Sequence, residues 1–218
     1  MPTGNHASAP LQSLIARTAA GLAVLGVSTL VGCSAPKMNW DKAEPAIDPV
    51  EAYNQRSRVK ALELFREASK LHEEGESVKA LAKYRESIDA DNTLFAAWNN
   101  MGQLLMQQKN YADAVAAYKI ASDLQTTDPR PDYNIGLAYQ TIGWADESYE
   151  HFQRSIDRDP NYLPSLRGAV RSAEMLGIGD QQVLEYIRNG QLRETQAEWR
   201  AYFDRQRFRV EKLIDETT

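Results

Sequence analysis

Few side chains in this 218-residue chain stand where they could carry chemistry. Cys33 is its one cysteine, so the chain cannot build a disulfide framework. His72 and His151 lack a second histidine or cysteine at metal-ligand spacing, such as a His-x-x-x-His pair on one helix face. Each reads as a surface or half-buried polar residue. Glu73 and Glu74 are adjacent, and helical neighbours diverge by about 100°. They read as a solvated turn and not as a carboxylate pair for acid–base work. Nucleophile elbows, phosphate loops and glycine-rich dinucleotide fingerprints are absent from the sequence. The chain therefore reads as a non-enzyme with no metal ligands and no cofactor. A net charge of −5 argues against a nucleic-acid surface, and 43% hydrophobic residues suffice for a domain with a real core.

What the chain does contain is a pattern. Residues 61–94, 95–128 and 129–162 are one block written three times at a period of 34, without gaps. Aligned columns read Tyr84, Tyr118, Phe152; Ala80, Ala114, Ser148; Ala68, Gly102, Gly136; and Ser87, Ala121, Ser155. Each block holds two apolar-periodic runs separated by a break, as in Tyr133–Gln140 and Ala145–Asp157. Gly75 and Gly143 sit at such breaks, where glycine adopts a left-handed turn at least cost. Small residues let paired helices approach closely, and the large aromatic fills the space between pairs. Asp159-Pro160 stops the second helix of the third block.

These blocks resemble tetratricopeptide repeats. Block two carries Trp98, Met101-Gly102, Ala114, Tyr118 and Ala121, and block three Ile135-Gly136-Leu137-Ala138-Tyr139, Phe152 and Pro160. Block one is weaker at its start (Leu64, Ala68, Leu71) but follows the pattern from Gly75 through Ala80, Tyr84 and Asp91. Asp132 stands where the family has tryptophan, and Thr126 where it has proline. The resemblance implies an all-α fold, a right-handed α-solenoid of helix pairs with three clear repeats. A degenerate fourth repeat is expected over 163–190, with Gly177 and Tyr186 in the turn and aromatic columns and its second helix ending at Asn189-Gly190. Residues 191–218 are expected to form a C-terminal amphipathic helix, with Leu192, Trp199, Tyr202, Phe203, Val210 and Leu213 as its apolar stripe. That helix reads as a cap on the last repeat, or as a partner-binding helix if the stripe is wider than one neighbour covers.

Residues 1–32 read as a leader. They hold no acidic residue, and an apolar run from Thr18 to Gly32 is short for a membrane span but suits a signal peptide. Leu30-Val31-Gly32-Cys33 resembles the lipobox of bacterial lipoproteins, in which cleavage precedes a cysteine that is then acylated. The resemblance implies Cys33 as the lipid attachment point. Ser34 after it implies an outer-membrane protein facing the periplasm, and residues 33–49 a polar, proline-containing tether. Asp48-Pro49-Val50-Glu51 then reads as a helix start. It leads through 50–60 into the first repeat, either as one long helix or as two.

In the repeats this chain resembles, the first helices line a concave groove. Carried onto this sequence, the groove positions are Arg66, Asn99, Asn100, Gln103, Gln107, Arg130, Asn134, Gln140, Arg167 and Arg171. Asn100 and Asn134 occupy the column that often holds a bound peptide's backbone, which an amide suits because it donates and accepts together. The arginines would favour an acidic segment or a C-terminal carboxylate. The family's chaperone-tail clamp is not reproduced, since only Asn100 and Arg130 agree with it, while Phe65, Ser69 and Asn134 depart. The expected function is a non-catalytic, lipid-anchored scaffold offering this groove to a protein or peptide in an envelope complex. The alternative is a structural lipoprotein that oligomerises through its C-terminal helix.

Overall fold

Helix formation begins at Asp48 in the computed structural model, which describes residues 48–217. The expected leader, Cys33 and most of the tether lie outside the described residues. The Asp48 carboxylate accepts from the amides of Val50 (2.7 Å) and Glu51 (3.3 Å), and Pro49 occupies the first helical position, where no amide is needed. From this cap α1 (Pro49–Glu73) runs unbroken, so the lead-in and the first repeat helix are one element. It is followed by α2 (Ser77–Ala90), α3 (Phe95–Gln107), α4 (Tyr111–Leu124), α5 (Arg130–Thr141), α6 (Ala145–Arg158), α7 (Leu163–Met175), α8 (Gln181–Arg193) and α9 (Ala197–Thr217). The described residues contain no strand.

Each helix packs against the next, and the odd-numbered helices α1, α3, α5 and α7 also touch in sequence. The fold is the expected all-α solenoid, with four helix pairs and α9 closing the stack. Its aromatic column is the core. Tyr84, Tyr118, Phe152 and Tyr186 are all buried. Phe152 lies between α5 and α7, so close to both backbones that a Cβ at Gly136 or Gly168 would fall within 2.8 Å or 2.4 Å of its ring. Ser87 and Ser155, in equivalent columns, each donate at 2.7 Å to a carbonyl 26 residues earlier, that of Ala61 and of Pro129. These bonds stitch the second helix of a repeat to the start of the first.

The turns repeat as well. Gly75, Gly143 and Gly177 have φ of +80°, +83° and +70°, and the same column in the second repeat is filled by Lys109 at φ 59°. A lysine in this left-handed conformation costs on the order of 1 kcal/mol relative to glycine.

Two expectations about the C-terminus are corrected. Helix α8 does not end at Asn189-Gly190 but continues to Arg193, and α9 starts at Ala197, not Gln191. Gly190 is a packing glycine, because a Cβ there would lie 2.4 Å from the Phe203 ring of α9. The link between the helices is fixed instead by Glu194. Its buried carboxylate accepts from the amides of Thr195 and Gln196 at 2.9 Å each, and its carbonyl accepts from Arg200 at 2.7 Å. The expected stripe loses Leu192, which lies on α8 and is 81% exposed, whereas Phe203 and Val210 are fully buried. Tyr202 and Gln206 reach back to the Glu174 carboxylate at 2.9 and 2.6 Å, which joins α9 to the end of α7.

Candidate partner-binding groove

The helices α1, α3, α5 and α7 touch in series, and the groove residues expected from the sequence are all carried on these four helices. Asn99, Asn100 and Asn134 come together there. The Asn134 amide donates to Asn99 at 3.5 Å, and Asn99 donates to Asn100 at 3.3 Å. All three are half-buried. Each primary amide carries two donor hydrogens and a carbonyl with two lone pairs, so the single bond of Asn100 and of Asn134 and the two of Asn99 leave capacity for a peptide backbone. Beside them, between α1 and α3, a hollow of roughly 350 Å³ is lined by His72, Tyr84, Asn100, Gln103 and Gln107. His72 is fixed on its wall, with Nε2 2.9 Å from the Gln107 carbonyl oxygen and Nδ1 3.4 Å from the Tyr84 hydroxyl. Gln103 and Arg66 are exposed. Further along, Gln140 donates to Ser172 Oγ at 3.0 Å and spans α5 to α7.

The arginines separate into two kinds. Arg130 is held by Asp128, with Nε 3.0 Å from both carboxylate oxygens and Nη2 2.6 Å from Oδ2. This pairing holds the Asp128 carboxyl below its usual range and raises the guanidinium. Arg167 is bound to the buried Glu194 at 2.8 Å through Nε and 2.6 Å through Nη2. Burial pushes Glu194 up, but the Gln196 amide, Arg167 and the Thr195 amide outweigh it and leave the carboxyl below its ordinary value. Arg171 is exposed and has no ion pair among the described residues. Both Arg167 and Arg171 lie over the Trp199 ring, at 4.7 and 5.3 Å from its centroid. Sequence reasoning placed Trp199 on a capping stripe; it also reaches into the groove and helps line a hollow with Tyr133, Leu137 and Pro164. The signal for this was present, since one further period from Leu163 lands on Ala197, where α9 begins as the first helix of a fifth register.

His151, expected at or near the surface, is buried. It stacks on Tyr139 with centroids 5.6 Å apart, and its Nδ1 lies 3.1 Å from Asp132. Asp132 also receives Arg158 at 2.9 Å and Ser122 at 3.0 Å, while Arg158 donates to the carbonyls of Ser122, Gln125 and Asp128. The aspartate in the family's tryptophan column is thus the centre of a polar network joining α4, α5 and α6. Burial pushes its carboxyl up, but the His151 hydrogen bond and the Arg158 charge bring it below its ordinary value. Trp144 is 55% exposed yet stacked on Tyr139, with ring planes 10° apart. Among the described residues no three His, Cys, Asp or Glu side chains gather as a metal site, and no helix is long and apolar enough to cross a membrane.

Comparison with known proteins agrees with this architecture. Residues 102–143 match the family model described as TPR repeat, and residues 133–162 the one described as Tetratricopeptide repeat. The chain is 22% identical over 119 residues to human Superkiller complex protein 3, covering 52% of this chain and 8% of that one. It is 28% identical over 76 residues to human Protein O-mannosyl-transferase TMTC3, covering 35% and 8%. It thus spans less than a tenth of the length of the curated relatives it matches. Among solved structures, MamA superposes with a TM-score of 0.56 at 18% identity, over 66% of this chain and 80% of that one. The first TPR of Spaghetti (RPAP3), bound to the HSP90 peptide SRMEEVD, superposes with a TM-score of 0.52 at 20% identity, over 55% and 94%. Tetratricopeptide repeats are therefore identified in this chain, by family model over residues 102–162 and by fold across the wider helical stack.

Proposed function

We propose that this protein is a non-catalytic scaffold whose concave groove holds an extended segment of a partner protein. The observation that carries the reading is the Asn99–Asn100–Asn134 cluster carried on α3 and α5, which matches the pairing needs of a peptide backbone. The RPAP3 domain, a structural relative of the same fold, has a bound peptide. The histidines serve packing, His72 against Tyr84 and Gln107 and His151 within the Asp132 network, which favours a binding protein over an enzyme. In the same proposal the chain is tethered to a bacterial envelope through acylated Cys33 after loss of residues 1–32. It faces the periplasm from the outer membrane and contributes to assembly of an envelope complex. The lipobox-like Leu30-Val31-Gly32-Cys33 supports the tether, and two or more acyl chains would make it stable.

Substituting Asn100→Ala and Asn134→Ala together should weaken partner capture at least tenfold, about 1.4 kcal/mol, with the melting temperature nearly unchanged. Undiminished capture by the double variant would place the partner elsewhere. For the tether, the intact mass of membrane-extracted protein should lack residues 1–32 and carry acyl chains, both lost in Cys33→Ala. A soluble, unprocessed chain would refute it.

A second reading is self-association through the C-terminal helix, favoured by Phe208, which is 74% exposed on the outer face of α9. Phe208→Ser would then convert an oligomer to a monomer in sedimentation without loss of helix content.

A further inference from the structure

Helix α1 is longer than the helix it pairs with. Helix α2 has 14 residues, about 21 Å of helix, and laid back from the turn at Gly75 it covers α1 only to about Lys60. Residues 49–60 therefore overhang by about three turns, and none of them is buried. Yet the face that α1 turns to α2 does not stop at that point. Ala61 and Ala68 are buried on it, and Ser57, Asn54 and Val50 precede them at the alternating spacing of a helical seam. Tyr53 stands beside this stripe and is 68% exposed. At the foot of the overhang, where α2 ends, a hollow of roughly 730 Å³ is lined by Tyr53, Asn54, Ser57, Ile88, Asp89 and Asn92. Tyr53, Asn54, Ser57 and Val59 are weak helix formers, so three turns without a packing partner are marginal in water. Stripe and hollow together form a seat for one more helix.

The charge order along the overhang selects the occupant. Glu51 and Arg58 are seven residues apart and so lie on one flank of the stripe. The Glu51 carboxylate accepts from Gln55 at 3.5 Å and from no cation among the described residues. Arg58 gives Nη1 to Asp91 at 3.2 Å with its side chain 59% exposed, which leaves most of its five donors for another acceptor. When two such helices lie antiparallel about a two-fold axis, like flanks meet, and Glu51 of each copy stands against Arg58 of the other. Laid parallel, opposite flanks meet and both pairs are lost. We propose that the overhang is a dimerisation element, packed antiparallel against the overhang of a second copy of this chain. Asn54 stands against Ser57 across the seam, where the amide and the hydroxyl can bond, and Tyr53 closes over them. The first turn of each α1, with Val50, fills the hollow at the foot of the other. Two three-turn helices bury less than the roughly 1,600 Å² of a standard interface, so the dimer is weak, with a Kd on the order of 10 μM.

The test uses the full chain with Cys33→Ala, so that neither acylation nor a disulfide links two copies. Sedimentation equilibrium should show a monomer–dimer exchange, and hydrogen exchange at the amides of residues 50–60 should slow as concentration rises through it. Glu51→Arg and Arg58→Glu should each weaken the dimer roughly tenfold, because each sets like charges together twice. Their equimolar mixture should restore it, since every pair is then unlike again. Tyr53→Ser should weaken it by a similar factor. Melting temperatures of the monomers should stay unchanged, because the Arg58–Asp91 pair that Arg58→Glu gives up is exposed and contributes little. A chain that stays monomeric up to roughly millimolar concentration overturns the proposal. So does slow exchange over residues 50–60 in the monomer, which would mean that the chain's own residues cover the overhang. A dimer that survives Glu51→Arg and Tyr53→Ser but is lost with Phe208→Ser assigns association to α9 and also overturns it.

Discussion

The second and third repeats fill the same column in opposite ways. In the second, Trp98 packs on the core and its indole N–H donates to one backbone carbonyl, that of Asn92, at 2.8 Å. In the third, the column holds Asp132, and a carboxylate cannot be buried without partners. The structure supplies His151, Arg158 and Ser122, and Arg158 extends the network to three carbonyls around the α4–α5 link. The same helix geometry therefore tolerates either a large apolar side chain with one polar handle or a small ion with a fully built shell. The second solution depends on each of its members, whereas the first can relax around a lost atom.

Arg158→Ala breaks the comparison most severely. It leaves Asp132 buried without its cation and should cost about 3–5 kcal/mol in chemical denaturation. Replacing Asp132 and Arg158 together by leucine and methionine should recover most of that loss, because the penalty is the orphaned charge and not the missing pair. Acid should weaken the fold where its paired carboxylates sit, Asp132 of the third repeat among them. Asp128, Asp132 and Glu194 have folded pKa values below their ordinary ones, so the stability they contribute is complete above about pH 4 and is lost as pH falls through the lower folded values. Thermal melts from pH 7 to pH 2.5 should show this decline, and Asp132→Asn should flatten it. Lys109→Gly gives the second repeat the turn residue of the other three and should stabilise it by about 1 kcal/mol. The smallest change concerns Tyr149, whose buried hydroxyl has no hydrogen-bond partner among the described residues. Tyr149→Phe should be neutral or stabilising, by up to about 1 kcal/mol in the same denaturation assay.

The repeat architecture was legible because it is carried by periodic residues. Tyr84, Tyr118 and Phe152 at a spacing of 34, with Gly75 and Gly143 at the turns, determine the helix pairs and their stacking. The Asp48 cap was legible for a local reason, since all its partners lie within three residues. What could not be read were pairings between distant positions. Asp132 looked like a mild departure from a family column because Arg158 and His151 become its partners only once α6 packs on α5. Arg130 and Arg167 looked alike as groove cations, and only folding shows each committed to a carboxylate. Gly190 carried a misleading signal, because glycine serves equally as a helix stop and as a seat for a neighbouring ring, here that of Phe203.

The central claim, that the concave face is the partner-binding face, is tested most directly by site-specific photo-crosslinking in the protein's own cells. A crosslinker replacing Gln103, exposed on α3 in the groove, is compared with one replacing Lys119, exposed on α4 of the same repeat. The account predicts a discrete partner adduct from position 103 that disappears when Asn100 and Asn134 are alanine, and none from position 119. An adduct from position 119 with none from position 103 would contradict it.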